Sequence, residues 1–293
     1  MRKAFVNSLP KAGTNLAAKC LQLFGYTPET ELYNVKGPHL ERIRMYGSRR
    51  KAPMAPSANQ KRALIEGRFT HWHYRYDLGD GIVTTPFSDT AQNWHDQRRE
   101  IIFGLIRDRF GSSLRGKTCL DVACNSGFWS FALAELHSHR ILAIDDQAYL
   151  IEQAEFVRNC LTRHSEYDTI EFRHQNVFDL EAETDEFDLV LFLGLAYHLT
   201  DIVGALERVY RVTRGAVIID SGVSRREGLV LEFSDPAKFR GIGSKEFSFV
   251  PTCPALIRIL EHVGFSSVDR WTPMPSAPAP YREGDRVIVI AMK

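Results

Sequence analysis

The chain has 293 residues, which corresponds to about two domains of ordinary size. Hydrophobic residues make up 44% of it and charged residues 25%, a balance that excludes a disordered, collagen-like or coiled-coil chain. The longest apolar run is too short to cross a bilayer and the N-terminus is not a secretory signal, so we expect no membrane association. Five scattered cysteines without a C-x-x-C pair indicate reduced thiols in a cytoplasmic protein, not a disulfide framework or structural zinc site.

The distribution of charge predicts two parts with different surfaces. Residues 1–62 carry twelve Lys or Arg and three Glu, whereas the remaining residues carry an excess of eight negative charges. Residues 4–6 are a candidate strand, a helix is predicted from Asn15 to Gly25, and residues 51–62 contain two prolines and no periodicity. We therefore predict an N-terminal strand–loop–helix segment over residues 1–50, a linker over residues 51–62 and a main domain over residues 63–293.

Strands and helices alternate along the main domain. We predict strands over residues 118–122, 140–144, 170–174, 189–193 and 216–219, with helices over residues 128–136, 149–161 and 202–212. A last helix over residues 255–263 precedes two strands, residues 266–271 and 286–291, which a proline-rich loop joins. This order predicts an α/β fold with a Rossmann-like, doubly wound and mostly parallel sheet that ends in an antiparallel hairpin.

The turn between the first predicted strand and helix has the features of a cofactor site. Ligands of such sheets bind beyond the carboxyl ends of the strands, where the small residues Ala123, Asn125 and Gly127 allow a close approach of the backbone. Asp145 closes the next strand and is placed to accept hydrogen bonds from a ribose diol. The dinucleotide pattern G-x-G-x-x-G is absent, and Asp121 would repel a pyrophosphate. The turn therefore favours a cationic nucleoside such as S-adenosylmethionine (SAM).

The sequence of this turn, LDVACNSGFWSF from residue 120, resembles motif I of class I SAM-dependent methyltransferases. It is most similar to the branch related to the tRNA wobble-uridine (carboxy)methyltransferase. Residues 76–84, 187–198 and 249–265 resemble the entry segment, fourth strand and late helix of that branch, so the resemblance covers about residues 65–293. Two positions depart from it: Ala123 stands where the family usually has glycine, and Asn176 where an aspartate often meets the adenine.

The resemblance implies a role for each matching position. Asp121 and the backbone from Ala123 to Gly127, which includes Asn125, would hold the methionine end of SAM, and Asp145 would hold the ribose. The adenine would contact Asn176 and Val177. Leu193 and Gly194 would line the floor near the methyl group.

Tyr197 and His198 are the candidate catalytic residues. His198 follows the fourth predicted strand and has a suitable pKa for a general base, although a packing role is an equal alternative. A tyrosine at the position of Tyr197 contacts the extra carboxylate in the carboxymethylating relatives. Because residues 199–201 replace the basic run of those relatives, we expect SAM rather than carboxy-SAM. Asp220, at the end of the fifth strand, is either a second polar group in the cleft or a local hydrogen-bond acceptor.

Two further motifs carry weaker predictions. Residues 71–73 read His-Trp-His but have no third ligand nearby, so we predict a packing or lid role and no metal site. Residues 5–15 resemble the phosphosulfate-binding loop of PAPS-dependent sulfotransferases, but that resemblance spans only about 45 residues. We therefore predict a sulfotransferase-like fragment and not an active sulfotransferase. Anion binding by Lys11, Gly13 and Thr14 stays open.

The main functional hypothesis is SAM-dependent methyl transfer to an oxygen of a small-molecule or sugar-like acceptor. The alternative is methyl or carboxymethyl transfer to the wobble uridine of tRNA, which the basic N-terminal segment favours. A third hypothesis is a binding protein that keeps the SAM fold without catalysis.

Overall fold

A computed structural model describes residues 55–86, 89–161, 164–181, 186–234 and 247–293. The predicted sulfotransferase-like fragment, with Lys11, Gly13 and Thr14, lies outside these residues. Its assignment, and the division into domains, therefore stay predictions.

Strands and helices alternate through the described part of the main domain. The helices are α1 (Ala58–Gly67), α2 (Asp89–Phe110), α3 (Phe128–Glu135), α4 (Ala148–Cys160), α5 (Ile202–Val212), α6 (Cys253–Val263) and α7 (Ala279–Arg282). The strands are β1 (Thr118–Val122), β2 (Arg140–Asp145), β3 (Ile170–His174), β4 (Phe187–Leu193), β5 (Thr213–Gly222), β6 (Leu231–Ser234), β7 (Ser248–Pro251), β8 (Ser267–Arg270) and β9 (Arg286–Met292).

The main sheet has seven strands in the order β3-β2-β1-β4-β5-β9-β8. The first five strands in the chain are parallel to one another, whereas β9 runs antiparallel to both β5 and β8. The predicted Rossmann-like sheet with a terminal antiparallel hairpin is therefore confirmed. Its strand order reverses between β1 and β4, which is where ligands of doubly wound sheets bind.

Helices cover both faces of the sheet, and alternate strand residues contribute to two separate apolar cores. On β1, Cys119 packs into the core that includes Ile102 of α2 and Leu133 of α3. Its neighbour Leu120 packs into the other core, which includes Leu206 of α5 and Leu256 and Leu260 of α6. Burial on both faces explains why the central strands are continuous apolar runs, and it fixes their carboxyl ends as a rigid edge.

Several elements differ from the sequence predictions, and α2 is a helix that they do not contain. Helix α1 begins inside the predicted linker, where the hydroxyl of Ser57 accepts a hydrogen bond from the N–H of Gln60 and the side-chain oxygen of Gln60 accepts one from the N–H of Ser57. The linker prediction is therefore wrong for residues 58–62, because this capping box starts a helix in spite of the prolines before it. Strands β6 and β7 form a separate antiparallel pair that the sequence analysis does not predict, and α7 interrupts the predicted proline-rich loop.

The small β6–β7 sheet lies next to the end of β4, since the N–H of Phe249 donates a hydrogen bond to the carbonyl of Leu199 at 3.1 Å. No helix within the described ranges has both the length and the apolar character needed to cross a membrane.

Candidate active site

The predicted site residues lie at one edge of the sheet because the strands that carry them end side by side. Leu193 at the end of β4 pairs with Asp220 on β5. On the other side of the site, Val122 at the end of β1 pairs with Ile144, the residue before Asp145. Asp145, Asp121, Leu193 and Asp220 therefore lie near the carboxyl ends of four neighbouring strands, β2, β1, β4 and β5.

Three residues of the turn after β1 have a left-handed backbone conformation. The φ angle is 57° at Ala123, 52° at Asn125 and 89° at Gly127. Asparagine and glycine tolerate this conformation, whereas it strains an alanine. A Cβ at Gly127 would also lie 2.8 Å from Cζ of Phe172, so packing requires glycine there independently of any ligand.

Asp145 joins the end of β2 to this turn. Its carboxylate accepts hydrogen bonds from the backbone N–H of Asn125 at 2.9 Å and of Gln147 at 3.0 Å. Burial raises the pKa of Asp145 to about 6, and the two N–H donors oppose the rise. The carboxylate oxygens have further lone pairs and can accept hydrogen bonds from a diol. The neighbouring Asp146 is exposed.

Asp121 lies buried on β1, and its Oδ2 accepts a hydrogen bond from the Ser130 hydroxyl at 2.6 Å. Burial raises the pKa of Asp121 to about 7, the bond from Ser130 opposes the rise, and the charge of Asp145 adds to it. Within the described residues neither carboxylate forms an ion pair. We call Asp121 and Asp145 the acidic pair. Buried carboxylates without a cation fit a ligand that brings positive charge and hydroxyl groups, as SAM does.

Asn176 and Val177 follow β3 and lie close to the acidic pair, because the N–H of Gln175 donates to the carbonyl oxygen of Asp145 at 3.0 Å. Val177 is buried. The Oδ1 atom of Asn176 caps a short 3-10 helix by accepting a hydrogen bond from the N–H of Phe178 at 3.1 Å. The group that Asn176 can direct to an adenine is therefore its amide N–H₂ and not its oxygen.

Leu193 and Gly194 end β4 beside β5. Leu193 is buried, and Gly194 has a φ of 81° while its N–H donates to the carbonyl of Asp220 at 2.7 Å. Gly194 therefore turns the chain sharply out of the sheet, and this turn brings the next residues over the site.

Tyr197 and His198 lie on the 3-10 helix that follows this turn, with their ring centroids 4.2 Å apart. Both side chains are half-buried. Burial and then the charge of Arg286 lower the pKa of His198, so its imidazole is neutral at neutral pH. A neutral imidazole at this edge can accept a proton.

A buried group of charged residues beside Tyr197 is absent from the sequence predictions except for Asp220. The Asp220 carboxylate accepts hydrogen bonds from Nε of Arg98 at 2.7 Å, Nε of Arg286 at 2.9 Å and the Tyr281 hydroxyl at 3.1 Å. Burial alone would raise the pKa of Asp220, but the charges of Arg286 and Arg98 outweigh it and lower that pKa. We call Arg98, Asp220, Tyr281 and Arg286 the basic cluster, because its two arginines share the single carboxylate of Asp220.

The sequence contains one signal for Arg98 that the predictions did not use. Trp94, Arg98, Ile102 and Ile106 recur every four residues, so Arg98 lies on the buried face of α2. An arginine on such a face requires an internal partner. No comparable pattern marks Arg286, which begins a strand after a turn.

Tyr74 lies between the acidic pair and the basic cluster. Its ring stacks on Phe128, at the start of α3, with centroids 4.5 Å apart. Burial raises the pKa of its hydroxyl, and the charges of Arg98 and Asp121 act on it from the two sides. The two charged groups therefore belong to one site.

Of the His-Trp-His motif, only His73 contributes to this region. Its ring centroid lies 4.6 Å from that of His95, and burial is the main cause that lowers the pKa of His73 to about 4 and of His95 to about 2. Both rings are thus neutral at neutral pH and add no charge to the basic cluster. No group of three metal-ligating side chains occurs in the part of the chain that the structure describes.

Part of the chain is similar to known methyltransferases. Residues 113–248 match a family model described as a methyltransferase domain. A tRNA U34 carboxymethyltransferase of Aliarcobacter butzleri is 30% identical over 172 residues, which are 58% of this chain and 53% of that protein. The corresponding protein of Nautilia profundicola is 28% identical over 163 residues, 53% of this chain and 50% of that protein. The chain thus spans about half the length of these curated relatives.

Solved structures share the fold at lower identity. The N-terminal domain of EvdMO1 with SAH bound has a TM-score of 0.59 and 19% identity, over 80% of this chain and 95% of that one. A magnesium protoporphyrin IX methyltransferase from Synechocystis with bound SAM has a TM-score of 0.52 and 17% identity, over 79% of this chain and 94% of that one. These similarities concern the architecture alone.

Proposed function

We propose that the protein, whose residues 113–248 match a methyltransferase domain, uses a SAM-type donor and transfers a carboxymethyl group to the wobble uridine of tRNA. The observation that carries the proposal is the agreement between the curated relatives, which are named for this activity, and a surplus of buried positive charge beside Tyr197. The tRNA acceptor is the alternative of the sequence analysis and is preferred here to a small-molecule acceptor. The SAM-type donor stays as the sequence predicts, and the proposal adds a carboxylate on its transferred carbon.

The acidic pair supports binding of the nucleoside donor. Asp145 is placed to accept hydrogen bonds from the ribose, and Asp121 lies where a positive charge would stabilise its ionised form. Asn176 and Val177 lie where an adenine would follow. When bound, the donor supplies a carbon that is activated by an attached sulfonium sulfur. The bond between that carbon and the sulfur breaks during transfer, and the sulfur keeps the electron pair.

The basic cluster supports a donor that carries an anionic group. The Nε–H of Arg286 is used by Asp220, but its Nη1 points to the Tyr197 hydroxyl at 3.4 Å and its Nη2 lies 3.8 Å from the Cβ that Gly194 lacks. Both Nη atoms of Arg286 therefore face the end of β4, and the resemblance implies that the transferred carbon lies there. A carboxylate on that carbon would accept hydrogen bonds from Arg286 and Tyr197.

His198 is the group that we propose for moving a proton. For an acceptor that presents a hydroxyl, the new carbon–oxygen bond forms as that proton leaves, and a neutral imidazole can take it. The other residues of the site hold donor and acceptor close together and exclude water.

A small-molecule acceptor is the second candidate function. Residues 63–293 carry an excess of eight negative charges, which disfavours contact with the phosphates of a nucleic acid. The basic residues 1–62 counter this argument only if they form part of the RNA-binding surface.

The deciding experiment is to incubate the full chain with tRNA and either SAM or carboxy-SAM, each isotopically labelled, and to analyse the digested nucleosides by mass spectrometry. We expect a carboxymethylated uridine from carboxy-SAM and little product from SAM. The same incubation is repeated with a metabolite extract added. Label in a small molecule of the extract, with none in the tRNA, would instead support the second candidate.

Donor binding is tested by Asp145→Asn, with Asp146→Asn as the matched control. Loss of the charged acceptor should weaken donor binding by roughly tenfold to a hundredfold in calorimetry, whereas the exposed neighbour should have no effect. Equal affinities in the two variants would exclude Asp145 from the donor site.

The role of His198 is tested by His198→Gln. We expect kcat to fall by about a hundredfold while the donor Kd stays at the wild-type value, because the ring is proposed to act on the acceptor. An unchanged kcat would reduce His198 to a packing residue.

A further inference from the structure

Arg98 is enclosed on every side. Its side chain is 5% exposed, and its guanidinium lies over the rings of Trp94 and Trp129, at 5.5 and 5.4 Å from their centroids. Nε and Nη2 both interact with Oδ2 of Asp220, and Nη1 lies 3.4 Å from Nδ1 of His95. Because an arginine only donates, that His95 nitrogen is the unprotonated one. Asp220, His95 and the two indole rings therefore hold the Arg98 guanidinium in a place almost closed to solvent.

The two oxygens of Asp220 are divided between two arginines. Arg98 and the Tyr281 hydroxyl use Oδ2, while Nε of Arg286 uses Oδ1. Asp220 is fully buried, and the side chain of Arg286 is 15% exposed. With His73 and His95 neutral, this region holds one positive charge more than it holds negative charge.

A buried surplus charge has a cost unless something compensates it, and it attracts an anion strongly at low dielectric. Without Arg98, Asp220 and Arg286 would form a balanced pair, and the Nη groups of Arg286 would face the site with their charge already cancelled. With Arg98 present, Asp220 is shared, and the surplus charge lies on the side of Tyr197 and Gly194.

We propose that Arg98 is a specificity-determining positioning residue, which shares Asp220 so that Arg286 keeps an uncompensated charge and selects a donor with a carboxylate on the transferred carbon. The inference rests on the proposed function. On this proposal, the choice between SAM and carboxy-SAM depends on the net charge of the basic cluster. Arg98 contributes to that charge without touching the donor.

The test is a charge-balance cycle in which the ratio of the Kd values for SAM and carboxy-SAM is measured by calorimetry. Arg98→Met removes the surplus charge and should lower the preference for carboxy-SAM by about tenfold. Asp220→Asn raises the surplus to two charges and should increase the preference by about as much. The double variant R98M/D220N restores one surplus charge and should return the ratio to about the wild-type value.

Arg98→Lys keeps the charge and should keep most of the preference, although it loses the forked contact with Asp220. A purely structural role of Arg98 would change the stability of the protein or both Kd values together, and it would leave the ratio of the two Kd values unchanged. If R98M fails to fold, D220N and R98M/D220N still differ by one charge at position 98. Equal ratios of the SAM and carboxy-SAM Kd values in these two variants would overturn the proposal. So would a folded R98M with the wild-type ratio.

The same measurements separate this inference from the function on which it rests. A wild-type chain that binds both donors equally contradicts the carboxymethyl assignment itself. A wild-type chain that prefers carboxy-SAM, with the preference unchanged across the cycle, contradicts only the role of Arg98.

Discussion

Ala123 occupies a backbone conformation that its own side chain disfavours. Its φ of 57° lies in the left-handed region, where the Cβ approaches the following carbonyl oxygen at a cost of about 1–2 kcal/mol. The resembled family usually has glycine at this position. The chain therefore carries strain in the turn that is proposed to meet the donor.

Replacing this alanine should stabilise the protein. We expect Ala123→Gly to raise the free energy of unfolding by about 0.5–1 kcal/mol in urea titration, since the relief of strain exceeds the backbone entropy that glycine adds. Ala143→Gly is the matched control, because Ala143 is buried on β2 without a positive φ, and this change should destabilise by about 1 kcal/mol. A destabilised A123G would mean that the alanine methyl makes contacts worth more than the strain.

Residues that alternate with apolar neighbours on a strand, or close a strand, could be placed from the sequence. Asp121, Asp145 and Asp220 lie at the predicted edge because strand ends fix them. Arg98 and Arg286 could not be placed in the same way, because their partner is 122 residues away in one case and 66 in the other. The four-residue spacing on α2 indicates that Arg98 is buried, but nothing local to Arg98 or Arg286 indicates that Asp220 is the partner.

At the scale of elements, hydrophobic pattern and length were enough wherever a segment is buried on two faces. Strands β1 and β3 have the predicted bounds, and β4 extends two residues further at its start. The β6–β7 pair was missed because each strand has only four residues. In β6 the apolar residues Leu231 and Phe233 are also the exposed ones, which reverses the usual relation between alternation and burial. Helix α1 was missed because two prolines outweighed the Ser57–Gln60 capping box.

At the scale of the whole molecule, buried histidines and buried carboxylates respond to acid in opposite directions. The folded pKa of His95, about 2, lies below its unfolded value of 6.5, so its contribution to stability is present above about pH 6.5 and is lost as the pH falls. The folded pKa of Asp121, about 7, lies above its unfolded value of 3.8. Its contribution is present below about pH 4 and is lost as the pH rises through 7.

Two substitutions should separate these contributions in urea titrations between about pH 7 and pH 5. His95→Gln removes a group that charges on unfolding but keeps an acceptor for Arg98, so acidification should cost this variant less stability than it costs the wild type. Asp121→Asn removes the opposing contribution, and its stability should fall more steeply with acid. Parallel pH profiles for all three proteins would contradict both assignments.

Strand β9 lies between β5 and β8, although every other strand of the main sheet precedes it in the chain. During synthesis, β5 keeps an open edge and β8 has no neighbour until residues 286–292 have left the ribosome. Arg286 arrives with this strand, whereas Asp121 and Asp145 lie on strands made much earlier. A nascent chain therefore completes the strands proposed to hold the nucleoside first, and Arg286, which is proposed to discriminate between donors, joins them last.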